Sequence, residues 1–208
     1  MFGLTPAELS VFKKLSTPQK IQDYLDTIPR NFEKKGQTCY SARMVLREQK
    51  AHCVEGAFFA AAALLIHGEK PLLMDFQTTP EDEDHVIALF KQNGYWGAIS
   101  KTSHPVLRYR DPIYKTPREL ALTYFHEYFM VENGKKTLRA YSKPFSLLPY
   151  VPKFITSEER LWDIVEEMDN SPHLPLVPKV NMRLLRPASP IERQSFYLSE
   201  WTKEDPRT

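Results

Sequence analysis

Two cysteines are all that the 208 residues contain, too few for a disulfide framework, and neither belongs to a CxxC pair or a Cys/His spacing that would hold zinc. The HExxH signature is missing too. His126 and Glu127 adjoin in "TYFHEYF", but without a second histidine the zincin reading is excluded and His126 reads as a packing residue. An excess of one charge sign is also lacking. The formal net charge is +2, with basic residues spread along the chain and no dense Lys/Arg run, so nothing argues for nucleic acid or an anionic membrane. The amino terminus, "MFGLTPAELSVFKKL", has neither the basic n-region nor the apolar core of a signal peptide. "GAFFAAAALLI", the longest apolar stretch, falls far short of a bilayer span. Internal repeats, low-complexity tracts and dividing linkers are likewise absent. These absences predict a cytoplasmic protein with reduced thiols and no nucleic-acid or membrane partner.

What remains is the composition of a globular chain: 42% hydrophobic and 26% charged residues, at a length that can bury a sizeable core. Helix-start signals recur. Thr5, Pro6 and Glu8 form a capping box before "AELSVFKKL", and Ser16 or Thr17 with Pro18 repeats the device before the stripe Ile21, Tyr24, Leu25 and Ile28. "SARMVLREQK" reads as a short helix. A helix over 54–67 follows, with Gly68 in the C-cap region. "KPLLMDFQT" reads as a strand and "TPEDEDH" as an acidic loop. "HVIALF" and "YWGAIS" flank the Asn93-Gly94 turn of a hairpin. Further on, "TPRELALTYFHEYF" predicts a helix capped by Thr116. "ENGKKTLRAYSKPFSL" predicts a second hairpin at Asn133-Gly134, and "TSEERLWDIVEEMDNSP" a last helix capped by Thr156 or Ser157. Proline, 17 residues in all, crowds the last third, so a tail from about 171 to 208 should run extended over the surface. The whole predicts one α+β domain over 1–208: N-terminal helices and a central cysteine-bearing helix packed on an antiparallel sheet of 70–77, 85–91 and 95–101.

Cys53 stands at the doorway of the alanine-rich helix. A thiol at a helix N-terminus meets the positive end of the macrodipole and unpaired backbone N–H groups, both of which favour the thiolate. His85 opens a strand 32 residues later, enough chain for helix, strand and loop to bring the two together. A histidine in hydrogen-bond reach can hold the pair as thiolate and imidazolium and then protonate a leaving group. Cys39, with no histidine placed to match it, reads as structural. Gln37 is a candidate to lend a side-chain N–H to an oxyanion hole beside the Cys53 backbone N–H.

The order of "AHCVEGAFFAAAALLI", "DHVIALF" and "GYWGAIS" resembles the core of transglutaminase-like cysteine enzymes of the papain-like superfamily, over roughly residues 40 to 102. The resemblance implies Cys53 as nucleophile and His85 as its base, with no cofactor, acting as a thiol hydrolase or acyltransferase on an amide of a peptide or protein. In that family an aspartate stands four residues after the tryptophan. Four residues after Trp96 is Ser100, a neutral group. Ser100 is therefore expected to orient His85 in the aspartate's place, with Ser103 or an acidic side chain as substitutes. The alternative is a fold retained as a binding or scaffold protein after its chemistry was lost.

Other clusters carry plainer expectations. "PEDEDH" is a solvated acidic loop beside the site, where Asp84 is placed to tune His85. Arg108, Arg110 and Asp111 in "SHPVLRYRDPIY" could grip a substrate carboxylate, but an internal ion pair of Arg110 around Asp111 is the expectation.

Overall fold

The computed structural model describes residues 1–205. Its first two helices form where the caps stand. α1 (Pro6–Lys14) has the complete Thr5–Glu8 capping box, and α2 (Pro18–Thr27) is capped by the Thr17 hydroxyl on Lys20 N. Ser41 caps α3 (Ala42–Glu48) on Met44 N. α4 (Cys53–Ile66) starts one residue earlier than its sequence suggests, with His52 as N-cap. Gly68 ends it at φ +88°, where Gly68 N–H and Glu69 N–H return to the carbonyls of Leu65 and Leu64.

α4 is apolar on every side, as a helix buried all round must be. Its four consecutive alanines, Ala60 to Ala63, are fully buried and let α2, α3 and the sheet approach closely. At Gly56 the approach is closest: a Cβ there would lie 2.4 Å from Lys101 Cβ.

The sheet is antiparallel throughout, with β1 (Leu72–Gln77), β2 (His85–Gln92), β3 (Tyr95–Ile99), β4 (Arg110–Tyr114), β5 (Ala140–Ser142), β6 (Phe145–Ser146) and β7 (His173–Pro175). The strand order is β4-β3-β2-β1-β5-β7, and β6 pairs with the far end of β1. "HVIALF" reads as a continuous apolar run because both of its faces are covered. Val86, Ala88 and Phe90 join the core under α4, whereas Ile87 and Leu89 join a second core with Phe76, Tyr124 and Leu138. The Asn93-Gly94 turn has both residues at positive φ, +50° and +87°, as a two-residue hairpin requires.

Four expectations need correction. The helix predicted over 116–129 stops early. α5 is Pro117–Leu122, followed by a tight 3-10 turn at Phe125–Glu127. The N–H groups of Thr123, Tyr124 and Glu127 bond three residues back, while Arg110 reaches the Thr123 carbonyl and the Glu127 carboxylate. Asn133-Gly134 makes a turn closed by one bridge, Phe129 to Lys136, and the strands beyond it pair with β1 rather than with each other. Gly134 is required there by its neighbour as well as by φ +76°, since a Cβ would meet the Ala188 carbonyl oxygen at 2.5 Å.

The last predicted helix is split. Thr156 closes the short α6 (Lys153–Thr156), and α7 (Trp162–Asp169) begins behind Leu161 with no side-chain cap. Between them the chain is tied to the α3 region: Arg43 donates to Thr156 O, Ser41 to Ser157 O, and Leu161 N–H to Cys39 O. These long-range bonds displace the local capping signal.

The proline-rich tail is more than a surface wrap. His173–Pro175 adds an edge strand to the sheet, α8 (Pro190–Ser195) follows, and Leu176, Val177, Ala188 and Trp201 are buried. The predicted tail residues 206–208 lie outside the described residues. Among the described residues no helix is long and apolar enough to cross a membrane.

Candidate functional site

Cys53 is the first residue of α4, so its backbone N–H has no acceptor within the helix. Cys53 is half-buried and lines a cleft of about 570 Å³. Its walls are the 30–33 loop, the acidic 82–85 segment, the 101–107 connection, the 128–132 segment, and Phe196 and Lys203 of the tail.

Two imidazoles, those of His52 and His85, act on the Cys53 thiol. Burial works against the thiolate, but the bonds from His52 and His85, together with their charges, outweigh it and hold the thiol well below its ordinary range. His52 responds in the opposite sense. Burial opposes its charged form, yet the Cys53 bond and the Glu55 carboxylate overcome that, and its pKa is raised to about 9.

The sequence accounts for the way each ring is held. His85 Nε2 lies 2.8 Å from the Ser100 hydroxyl, and that hydroxyl donates to the Leu107 carbonyl. With its one proton engaged there, Ser100 accepts from His85, so the network assigns the Nε2–H tautomer and leaves Nδ1 unprotonated in the neutral ring. Ser100 is in place because Gln22 of α2 pairs with its backbone twice: Ser100 N–H donates to the Gln22 side-chain carbonyl, and the Gln22 amide donates to Ser100 O, both at 2.9 Å. The pairing Ala88↔Ile99, carried one step further, sets Ser100 beside Ile87, on the face of β2 that also carries His85.

His52 is fixed similarly. Its Nε2 is 3.0 Å from the Thr38 carbonyl. Fully buried Glu55, one turn into α4, fastens that loop to the helix. It accepts from Thr38 Oγ1 at 2.7 Å, from the backbone N–H of Tyr40 and of His52 at 3.0 Å, and from the Asn31 amide at 3.1 Å. A buried carboxylate with this many donors is satisfied by the protein alone. It also places negative charge 3.3 Å from His52 Nε2.

Several predicted residues fall elsewhere. Gln37 is exposed and lies outside the cleft wall, which corrects its assignment to an oxyanion hole. Ser103 is buried but its hydroxyl meets no partner among the described residues, and so it does not replace Ser100 on His85. Asp84 accepts from Thr78 N and Thr78 Oγ1, which staples the acidic loop. The other loop carboxylates are engaged too: Asp82 with Thr137, Glu81 with Lys135, Glu83 with Arg30. Among the described residues no group of three or more His, Cys, Asp or Glu side chains is arranged to hold a metal ion.

Arg110 pairs with Glu127 at 2.6 Å and lies over the Tyr124 ring, so the internal ion pair exists, with a partner other than the surroundings of Asp111. Arg108 pairs with Glu200 of the tail. His126 packs edge-on against Phe125 away from the cleft. Cys39 is fully buried, and burial pushes its thiol up to about 12.

Sequence reasoning missed His52 and Tyr128. The signal for His52 was its adjacency to Cys53 with Glu55 three residues on, the spacing of a helix's first turn. Tyr128 carries no local signal, because only the folding of the 123–132 segment beneath the sheet brings it to the cleft. Comparison with known proteins found no family model and no curated protein that matches the chain.

Proposed function

We propose that the protein is a thiol acyl-transfer enzyme, a hydrolase or acyltransferase of the transglutaminase-like kind, acting on an amide of a peptide or protein. The observation that carries this reading is Cys53 at the start of α4, lining one cleft with His52 and His85, which hold its thiol low despite burial. In the proposed reaction the thiolate adds to the carbonyl carbon. The C–N bond then breaks, with its electron pair leaving on nitrogen, which takes a proton from the His85 imidazolium. Water or an amine, deprotonated by His85, resolves the thioester and regenerates Cys53. Ser100 holds the ring's aim and tautomer without adding charge. His52, protonated up to about pH 9, supplies the positive charge that an aspartate-backed His85 would otherwise stabilise. Two free thiols fit a reducing, cytoplasmic setting.

The scaffold reading draws on one observation, the neutral Ser100 where the family it resembles carries an aspartate. Iodoacetamide alkylation separates the two. An enzyme of the proposed kind alkylates at Cys53 well below pH 8.5, the Cys53→Ser variant does not, and Cys39 stays silent throughout. Alkylation that begins only near pH 8.5 would favour the scaffold.

A further inference from the structure

The carbonyl that takes the Ser100 proton belongs to a residue held in an unfavourable conformation. Leu107 stands at φ +59°, the left-handed region in which a leucine side chain crowds its own backbone. It lies in the connection between β3 and β4, with no helix or ladder of its own to hold it there. A strained residue of this kind persists only where its surroundings impose the strain. Glu127 imposes it. One carboxylate oxygen accepts from the Leu107 backbone N–H at 2.6 Å, and the other accepts from Arg110, also at 2.6 Å. Arg110 is anchored in turn on the Thr123 hydroxyl at 2.9 Å and over the Tyr124 ring. The tight turn at Phe125–Glu127, which replaces the expected end of α5, thus delivers a carboxylate to the connection. Glu127 lies outside the cleft wall, whereas Leu107 is part of it.

We propose that Glu127 is a positioning residue of the site, acting on His85 through Leu107 and Ser100. The inference rests on the reading of Cys53 as the nucleophile. The contacts are continuous: Glu127 Oε2 to Leu107 N at 2.6 Å, Leu107 O to Ser100 Oγ at 2.5 Å, and Ser100 Oγ to His85 Nε2 at 2.8 Å. The N–H and C=O of Leu107 belong to different peptide groups, so charge is not relayed through a single amide. What passes along the chain is direction. Pinned at its left-handed φ, Leu107 aims its carbonyl at Ser100 and takes the hydroxyl's one proton, so Ser100 must accept from His85 Nε2–H, as an imidazolium requires. With that carbonyl turned away, the hydroxyl would be free to donate to Nε2 and favour the neutral ring, and the thiolate would lose a cation. The carboxylate missing at position 100 is thereby supplied at one remove.

The test is a double-mutant cycle on the intact chain, read by the pH profile of Cys53 alkylation with iodoacetamide, beside a thermal melt of every protein. Glu127→Ala should raise the pH of half-maximal reactivity by about half a unit to one unit, so that the rate at pH 6 falls about three- to tenfold, and should leave the rate above about pH 9 unchanged. Glu127→Gln, which keeps the length but offers one acceptor oxygen to two donors, should move the profile the same way by less. It decides the question if Glu127→Ala does not fold. In a Ser100→Ala background neither substitution should move the profile further, because the hydroxyl through which Glu127 acts is gone. Profiles that superimpose on wild type for both Glu127 variants overturn the proposal. So does a shift that persists in full beside Ser100→Ala, or a loss of rate equal at every pH, since each marks a carboxylate that only holds the fold. Wild type that alkylates well below pH 8.5, with Glu127 variants that match it, removes the role of Glu127 and leaves the thiolate standing. Wild type that reacts only near pH 8.5 removes the thiolate, and the proposal with it.

Discussion

The Ser100 hydroxyl lies 2.8 Å from His85 Nε2 while it gives its own proton to the Leu107 carbonyl. One side chain therefore fixes a tautomer with no charge of its own. It does so because a hydroxyl has a single proton and that proton already has a destination.

Removing the hydroxyl should loosen His85. In Ser100→Ala, the pH at which Cys53 alkylation reaches half its maximum should move up by about one unit, and the rate at pH 6 should fall about tenfold. Ser100→Asp should extend reactivity to lower pH, because a carboxylate stabilises the imidazolium. It should also lower the melting temperature, since its carboxylate would face the Leu107 carbonyl with no proton to offer. Stopped-flow alkylation from pH 4 to 10, beside thermal melts, measures both effects; three superimposable profiles would disconnect Ser100 from the thiol.

His52 makes a separate contribution. Its pKa of about 9 means that the ring keeps its proton, and so its attraction for the thiolate, across the neutral range and loses it only as pH climbs through 9. His52→Ala should therefore shift the alkylation inflection toward the free-thiol value of about 8.5. The variant's deficit should be largest at acid pH and should vanish above about pH 9. A deficit of equal size at every pH would point to a general loss of structure instead.

Gly56 gives a prediction that opposes helix propensity. Alanine is the better helix former by about 1 kcal/mol, yet a Cβ at this position would lie 2.4 Å from Lys101 Cβ. Lys101 cannot swing aside freely, because its ammonium donates to the Leu25 and Ile28 carbonyls at the end of α2. Gly56→Ala should lose about 1–3 kcal/mol in urea unfolding, the usual cost of forcing a methyl into a packed interior. It should also slow Cys53 alkylation, since α4 must shift to admit the methyl. A gain in stability would mean that this contact relaxes easily.

Several features were legible because a local rule decides them. The capping boxes, the Asn93-Gly94 hairpin, the Gly68 stop and the α+β class follow from residues within a few positions of one another. The placement of Cys53 at the first turn of α4 and of His85 at the start of β2 was readable in the same way. Elsewhere distant partners prevailed over local pattern. Arg110 takes the Thr123 carbonyl and so cuts α5 short, and the α3 region binds residues 156–161 in place of the expected cap. At the site, the chain as a string of residues determined which groups stand near the thiol in register: Cys53 with its neighbour His52, and His85 with Ser100 across a hairpin. Only the tertiary structure decided the rest. It clamped Ser100 from α2 through Gln22, fastened His52 through buried Glu55 to the 31–40 loop, and laid the tail against the cleft. Local spacing fixes direction and face within an element. Whether a polar group finds a partner depends on which other elements close over it, and that is settled only when the whole chain packs.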